Sequence, residues 1–239
     1  MKKFFALIAV LIVTMAACAQ TSVSTDSAFR SAIANGANIT VTADIDLSNS
    51  TLSIPSGTTV TINLNGHTLD RRLNSRGEGG GQVFTVRSGA TLNLSNGTLK
   101  GGWGGDGGGL VNEGGTVNLT NVTITGNTAD DRGGGISNHG TLTMTRGTIT
   151  NNTSHDHEGT RGGGGFFNYS GATATLTNVT FSGNRATVTG GGGICNYGTM
   201  TLDGCTITGN SCIMNGGGIW QGADVARNIM YTIPTINIE

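Results

Sequence analysis

Gly133-Gly134-Gly135-Ile136-Ser137-Asn138 has four counterparts in the chain: Gly107 to Asn112, Gly163 to Asn168, Gly191 to Asn196 and Gly216 to Gln221. Each is a glycine run, a large apolar residue, a variable residue and an amide. Self-similarity at a period of 25 to 32 residues marks a solenoid of stacked coils rather than a conventional globule. It also weakens single-residue claims, because a residue in a repeated slot already has a structural reason to be there.

Behind each glycine run the chain alternates apolar and polar residues, breaks, and alternates again, as in Val117-Asn118-Leu119 followed by Val122-Thr123-Ile124-Thr125-Gly126-Asn127. Period-two alternation means short strands with one face in and one face out. Three such strands per repeat, separated by Gly and Asn turns, describe one triangular coil of a parallel β-helix. The pattern extends backwards through Leu92-Asn93-Leu94 and Ile62-Asn63-Leu64. With Leu64, Leu94, Leu119, Met144, Leu176 and Leu202 as equivalent positions, the spacings are 30, 25, 25, 32 and 26. The variation falls just ahead of the glycine runs, so insertions emerge along one edge. About seven coils at roughly 4.8 Å each give a body about 30 to 35 Å long. Inward Leu, Ile, Val, Met and Phe form axial columns, recurring Asn residues stack as hydrogen-bonded ladders, and outward Thr suits a solvated pleat. The glycine runs supply positive φ and close backbone approach where the coil corners.

Charged residues make up only 11% of the chain and aromatics 5%. Residues 1–19 read as an export leader: Lys2 and Lys3 ahead of an apolar stretch from Phe4 to Met15, closed by Ala16-Ala17-Cys18-Ala19. That stretch is too short for a permanent membrane span. Two fates compete for Cys18, removal with the leader or lipidation after cleavage before it, since Met15-Ala16-Ala17-Cys18 resembles a lipobox. Without the leader the chain carries 11 basic and 14 acidic residues, with no basic cluster, so nucleic acid is not an expected partner. Three cysteines remain, Cys195, Cys205 and Cys212, so at most one internal bridge can form.

Ser24 to Gly36 reads as a short helix with Phe29 and Ile33 on one face, placed to cover the open end of the first coil. The chain therefore divides into the leader, a capping segment at 22–38, the β-helix at 39–222 and a tail or cap at 223–239. The tail either folds over the last coil or pairs end to end with another chain.

The paired motifs Gly133-Gly134-Gly135-Ile136 and Phe181-Ser182-Gly183-Asn184 resemble those of the polymorphic outer-membrane protein repeats. Ile124 to Asn127, Ile149 to Asn152 and Ile207 to Asn210 are variants of the second motif. The resemblance is specific over residues 107 to 222 and general over 39 to 102. It implies an all-β, single-stranded, right-handed parallel β-helix of the pectate-lyase-like kind, in a bacterial surface adhesin. No C-terminal membrane barrel follows the repeats up to Glu239, so autotransport is not expected.

Candidate sites are weighed against the repeat. Asp130, Asp131 and His139 could supply the acid and base of an inverting glycoside hydrolase, but His139 fills a slot held elsewhere by Glu113, Tyr169 and Tyr197. A lyase would need a base and a cation facing an acidic sugar, for which Lys100, Arg71, Arg72, Arg76 and Arg87 are the available residues. His155, Asp156, His157 and Glu158 form the densest metal-capable run, but sit side by side on an inserted loop rather than at converging spacings. Gly101 to Asp106 resembles a single calcium-binding nonapeptide, and one copy cannot build the stacked site. An aromatic track is the better binding candidate: His139, Phe167, Tyr169, Tyr197 and Trp220 occupy outward slots beside the amide ladder and could receive the faces of sugar rings. Cys205 falls in an apolar slot and reads as a buried thiol, which leaves outward Cys195 and Cys212 as the only pair able to bridge. The sequence therefore points to an exported, non-catalytic surface or envelope β-helix with no cofactor or metal and with a glycan or cell-surface ligand. A polysaccharide-active enzyme is the alternative, and ice binding through outward Thr-x-Thr rows is a further one.

Overall fold

The structure is a computed structural model describing residues 20–34, 36, 38–48, 50–72, 81–155, 162–222, 229–232 and 237–238. Every strand pairing among these residues is parallel, and consecutive coils stack without a register shift from Thr91 to Thr208. The chain is a parallel β-solenoid with three sides. Sheet A, the largest, has 13 strands. Sheet B has seven short strands, from Leu52–Ile54 to Ile219–Gln221, and sheet C has five of two residues each, from Trp103–Gly104 to Ser211–Cys212.

The central rungs of sheet A are ten-residue strands, Thr91–Lys100, Thr116–Thr125, Thr141–Thr150 and Thr173–Ser182. Each turns a corner at one left-handed residue: Asn96 at φ 57°, Asn121 at 55°, Arg146 at 52° and Asn178 at 54°, continued by Gly204 at 59°. Asparagine tolerates that conformation better than other side chains with a Cβ, which explains its recurrence there. On both arms the alternating residues turn inward and are fully buried, as with Leu142, Met144 and Ile149.

Core columns fill by complementary size. Gly147 lies between Val122 and Val179 in one column, and a Cβ on it would sit 2.2 Å from Cε of Met144. The one methionine in the neighbouring column therefore occupies the space that valine fills in adjacent coils. The glycine runs are required chiefly by close approach: a Cβ on Gly134 would lie 2.3 Å from the carbonyl oxygen of Thr153 and 2.5 Å from that of Gly164. Positive φ is confined to particular members of the runs, such as Gly107 and Gly133.

Two sequence expectations need correction. The stack makes about six turns rather than seven. Among the described residues the earliest rungs have no sheet C strand, and the last glycine run opens a turn whose return falls in the tail. Leu64 is not the equivalent of Leu94; Ile62 pairs with Leu94, and Asn63 with Ser95. Four residues, 64 to 67, separate Asn63 from Thr68 where only two separate Ser95 from Thr98. An insertion of two preserves the in-out alternation, so the sequence gives no parity signal of the slip.

The helix spans Asp26–Ala34 and buries Phe29, Ala32 and Ile33 against the first rungs, with Phe29 edge-on to Phe84 at 6.4 Å. The strand Gln20–Val23 precedes it and pairs with Asn38–Val41, so sheet A begins ahead of the helix. At the other end Ile229–Thr232 and Asn237–Ile238 add to sheet A on the rungs of Thr199–Asp203 and Thr206–Thr208. The tail backbone thus continues the stack within the same chain. Residues 1–19, the segment expected to be a leader, lie with Cys18 outside the described residues.

Candidate ligand-binding site on sheet B

From Leu110–Asn112 onward, sheet B strands carry three residues with three roles. The first, such as Ile136, points into the core. The third is the repeated amide, buried in all but the last strand; the two earlier strands end on Ile54 and Val86 instead. Asn112, Asn138, Asn168 and Asn196 each donate from Nδ2 to the amide oxygen of the next coil at 2.8 Å, ending on Gln221. A second ladder runs through Asn127, Asn152, Asn184 and Asn210 at 3.0, 3.0 and 2.8 Å. Both satisfy buried polar groups at corners where the backbone ladder is interrupted.

The middle residue faces outward: Val111, Ser137, Phe167, Cys195 and Trp220 stack in register. The slot after the amide holds Glu113, His139, Tyr169 and Tyr197. These two columns bring the five track residues together. His139 and Tyr169 stack face to face at 3.6 Å, Phe167 meets Tyr169 edge-on at 4.6 Å and Tyr197 at 5.6 Å, and Tyr197 meets Trp220 at 5.1 Å.

The exposure of this track differs from the expectation. Phe167 is only 2% exposed and Cys195 is fully buried, although both point away from the core. The cover over Phe167 comes from Arg132, whose guanidinium carbon lies 5.6 Å from the Phe167 ring centre and 5.5 Å from that of Tyr169, and from the two tyrosines. Arg132 Nη1 donates to the Tyr169 hydroxyl at 3.0 Å, which in turn donates to Asp106 Oδ2 at 2.7 Å. Asp106 Oδ1 also accepts from the Arg132 backbone N–H at 3.2 Å. Burial raises the Tyr169 pKa above the ordinary phenol value and lowers that of His139. His139 and Tyr169 cover one face of each other; His139 is otherwise exposed, and Tyr169, Tyr197 and Trp220 are half-buried, so the track is open along its length except at Phe167.

Asp106 and Arg132 were not singled out as site residues by their sequence. The usable signal was position: charges of opposite sign immediately ahead of two successive glycine runs.

The other candidates take structural places. Asp130 accepts from Trp103 Nε1 at 2.8 Å, and Trp103 lies 5.9 Å from the His155 ring. His155 is bound into sheet C through its backbone N–H to Ala129, and Asp131 likewise donates its N–H to Gly105. Asp156, His157 and Glu158 lie outside the described residues, as does Arg76. Among the described residues no group of three or more His, Cys, Asp or Glu converges on a metal-sized site. Arg71 is buried and donates to the carbonyls of Ser48, Ser50 and Gly81, while Arg72 pairs with Asp46, Arg87 with Glu113 at 2.6 Å and Lys100 with Asp70 at 3.1 Å. The described cations among those considered for a lyase thus bridge neighbouring early coils. Cys195, Cys205 and Cys212 are thiols. Cys195 lies on sheet B and Cys212 on sheet C, a separation of strands that explains why the bridge is not made.

These features define a β-solenoid repeat protein with an aromatic track on one side. A family model for the Chlamydia polymorphic membrane protein repeat matches residues 121–139 and 178–197. Both matched segments start at a left-handed corner asparagine, Asn121 or Asn178, and finish in the track column, at His139 or Tyr197. The chain's repeats are thus similar to that family's in the same part of the coil, twice. No curated protein and no solved structure matches the chain.

Proposed function

We propose that this protein is an exported bacterial surface or envelope β-solenoid acting as an adhesin-like, non-catalytic module that takes a glycan ligand on the aromatic track. The observation carrying this reading is the contiguous run of rings from His139 through Tyr169 and Phe167 to Tyr197 and Trp220 along one side of a rigid stack. Ring faces beside hydrogen-bonding groups suit the apolar faces and hydroxyls of sugars. The similarity to a membrane protein repeat supports the location. The residues that suggested hydrolysis support the same reading, since Asp130 is engaged by Trp103 and His139 by Tyr169.

The test is a glycan panel on the full chain, read both as binding and as product formation. Retained glycans with unchanged reducing ends, and a fall in affinity of about tenfold in Trp220→Ala, are expected from the loss of one stacking ring. New reducing ends or unsaturated sugars would replace the adhesin reading with an enzymatic one, and no retained glycan would remove it.

A further inference from the structure

The outward face of sheet A has a composition that solvation alone does not require. Its six rungs at 59–63, 91–95, 116–120, 141–145, 173–177 and 199–203 stack in register. Of their eighteen outward positions thirteen are threonine, and Asp203 is the only charged residue. One column is unbroken: Thr59, Thr91, Thr116, Thr141, Thr173 and Thr199. The central rungs read Thr141, Thr143, Thr145 and Thr173, Thr175, Thr177, and none of these side chains is buried. Around the corner a second unbroken column runs through Thr68, Thr98, Thr123, Thr148, Thr180 and Thr206. Strand propensity favours threonine, but equally favours valine, isoleucine and tyrosine, and a solvated edge ordinarily recruits lysine and glutamate. Most described charges that face the solvent lie elsewhere, on the loops beside sheet B, on sheet C at Arg185 and at the early corner of Asp46, Asp70, Arg72 and Lys100; Arg146, at the bend of sheet A, is the exception beside the threonine columns.

Strand geometry sets the spacing at about 4.8 Å between rungs and about 6.7 Å between outward residues of one rung, so the array covers about 24 Å by 13 Å. Each position presents a hydroxyl able to donate once and accept twice, next to a methyl group that water can only cage. Threonine is stiff at χ1, so these groups are held in place before any partner arrives. With its one charge, Asp203, at a corner of the array and Arg146 at the bend beside it, the central rungs offer a fixed, largely uncharged two-dimensional pattern to a hydrogen-bonded lattice.

We propose that this threonine face binds ice, through water ordered between its methyl and hydroxyl rows. The site is on a different sheet from the aromatic track, so the two readings fail separately. The full chain is assayed for thermal hysteresis and for partition into a growing ice front, alongside Thr143→Lys/Thr175→Lys, Thr143→Ser/Thr175→Ser and Trp220→Ala, with circular dichroism confirming the β-solenoid in each. Activity in the parent, retained in Trp220→Ala, reduced at least tenfold by the lysine pair and reduced less by the serine pair, is the expected result. A folded parent with neither hysteresis nor ice partition overturns the proposal. So does full activity in the lysine pair, or binding of the face to crystalline cellulose or chitin in place of ice.

Discussion

Replacing Asn168 by alanine tests whether the amide ladder carries stability or merely accompanies the coil. Asn168 is fully buried; its oxygen accepts from Asn138 at 2.8 Å, and its Nδ2 donates to Asn196 at 2.8 Å and to the Thr199 carbonyl at 3.2 Å. Two ladder bonds and one backbone contact disappear. Neither neighbour is orphaned, since Asn138 keeps the Gly140 and Thr173 carbonyls, and Asn196 keeps the Gly198 N–H. At about 0.5 to 1.5 kcal/mol for each net hydrogen bond, plus the void left by the amide, the loss is about 2 to 4 kcal/mol. Gln221→Ala at the end of the same ladder removes a single bond from Asn196 and costs about 1 kcal/mol. Urea unfolding followed by circular dichroism measures both, the comparison being valid where the slope with denaturant is unchanged. Asn168→Asp is the sharper variant, because it sets an oxygen against the Asn196 oxygen at ladder distance. Burial raises the introduced carboxyl's folded pKa above its unfolded one, so stability is present in acid and lost as pH rises through the folded value; its deficit relative to Asn168→Ala narrows toward pH 4. A loss below about 1 kcal/mol for Asn168→Ala, or one no larger than that of Gln221→Ala, refutes a stabilising ladder.

Three further outcomes follow from the geometry. Gly134→Ala places a methyl 2.3 Å from the Thr153 oxygen and abolishes or severely lowers the melting temperature, whereas Gly105→Ala, with nothing within 4 Å, leaves it within about 2 °C. Tyr169→Phe deletes the hydroxyl between Arg132 and Asp106 and costs about 1 to 3 kcal/mol at neutral pH. Because the folded phenol pKa is raised, the hydroxyl's contribution is complete below the ordinary value of about 10 and is lost as pH climbs beyond it, so the gap in melting temperature between parent and variant closes in alkali; a constant gap speaks against the assignment. Cys205 is fully buried with its pKa raised by that burial, while Cys212 is half-buried, so an aromatic disulfide reagent labels Cys212 at least tenfold faster in the native protein, as mass spectrometry of the labelled peptides would show.

The fold was legible because its determinants are repeated. Gly134 is dictated by contact with neighbouring coils, and its equivalents in other runs meet the same contact, so the run recurs and is visible. Asn112, Asn138, Asn168 and Asn196 recur for the same reason. Register was misread only at Leu64, where a two-residue insertion leaves alternation intact. The track was legible as a set of slots, yet the exposure of Phe167 was not, because its cover is Arg132, a side chain from a loop whose length and composition change between coils. Tyr169 reaches Asp106 across 63 residues of sequence, a distance at which no local pattern speaks. Repetition reveals scaffolding, and the features specific to one coil are silent until the stack is built.

The amide ladders have a sense. In both, the nitrogen of one coil always donates to the oxygen of the coil that follows, so the stack has a head and a tail as a polymer does. Among the described residues the sheet B ladder ends with a donor unused, at Gln221 Nε2. A duplicated coil inserted within the ladder would meet a donor on the coil before it and an acceptor on the coil after it without inventing a contact. Length can therefore change by whole coils through simple gene duplication. Whatever is displayed on the sides of the stack can then be multiplied, or moved along the axis, while the interior remains as it was.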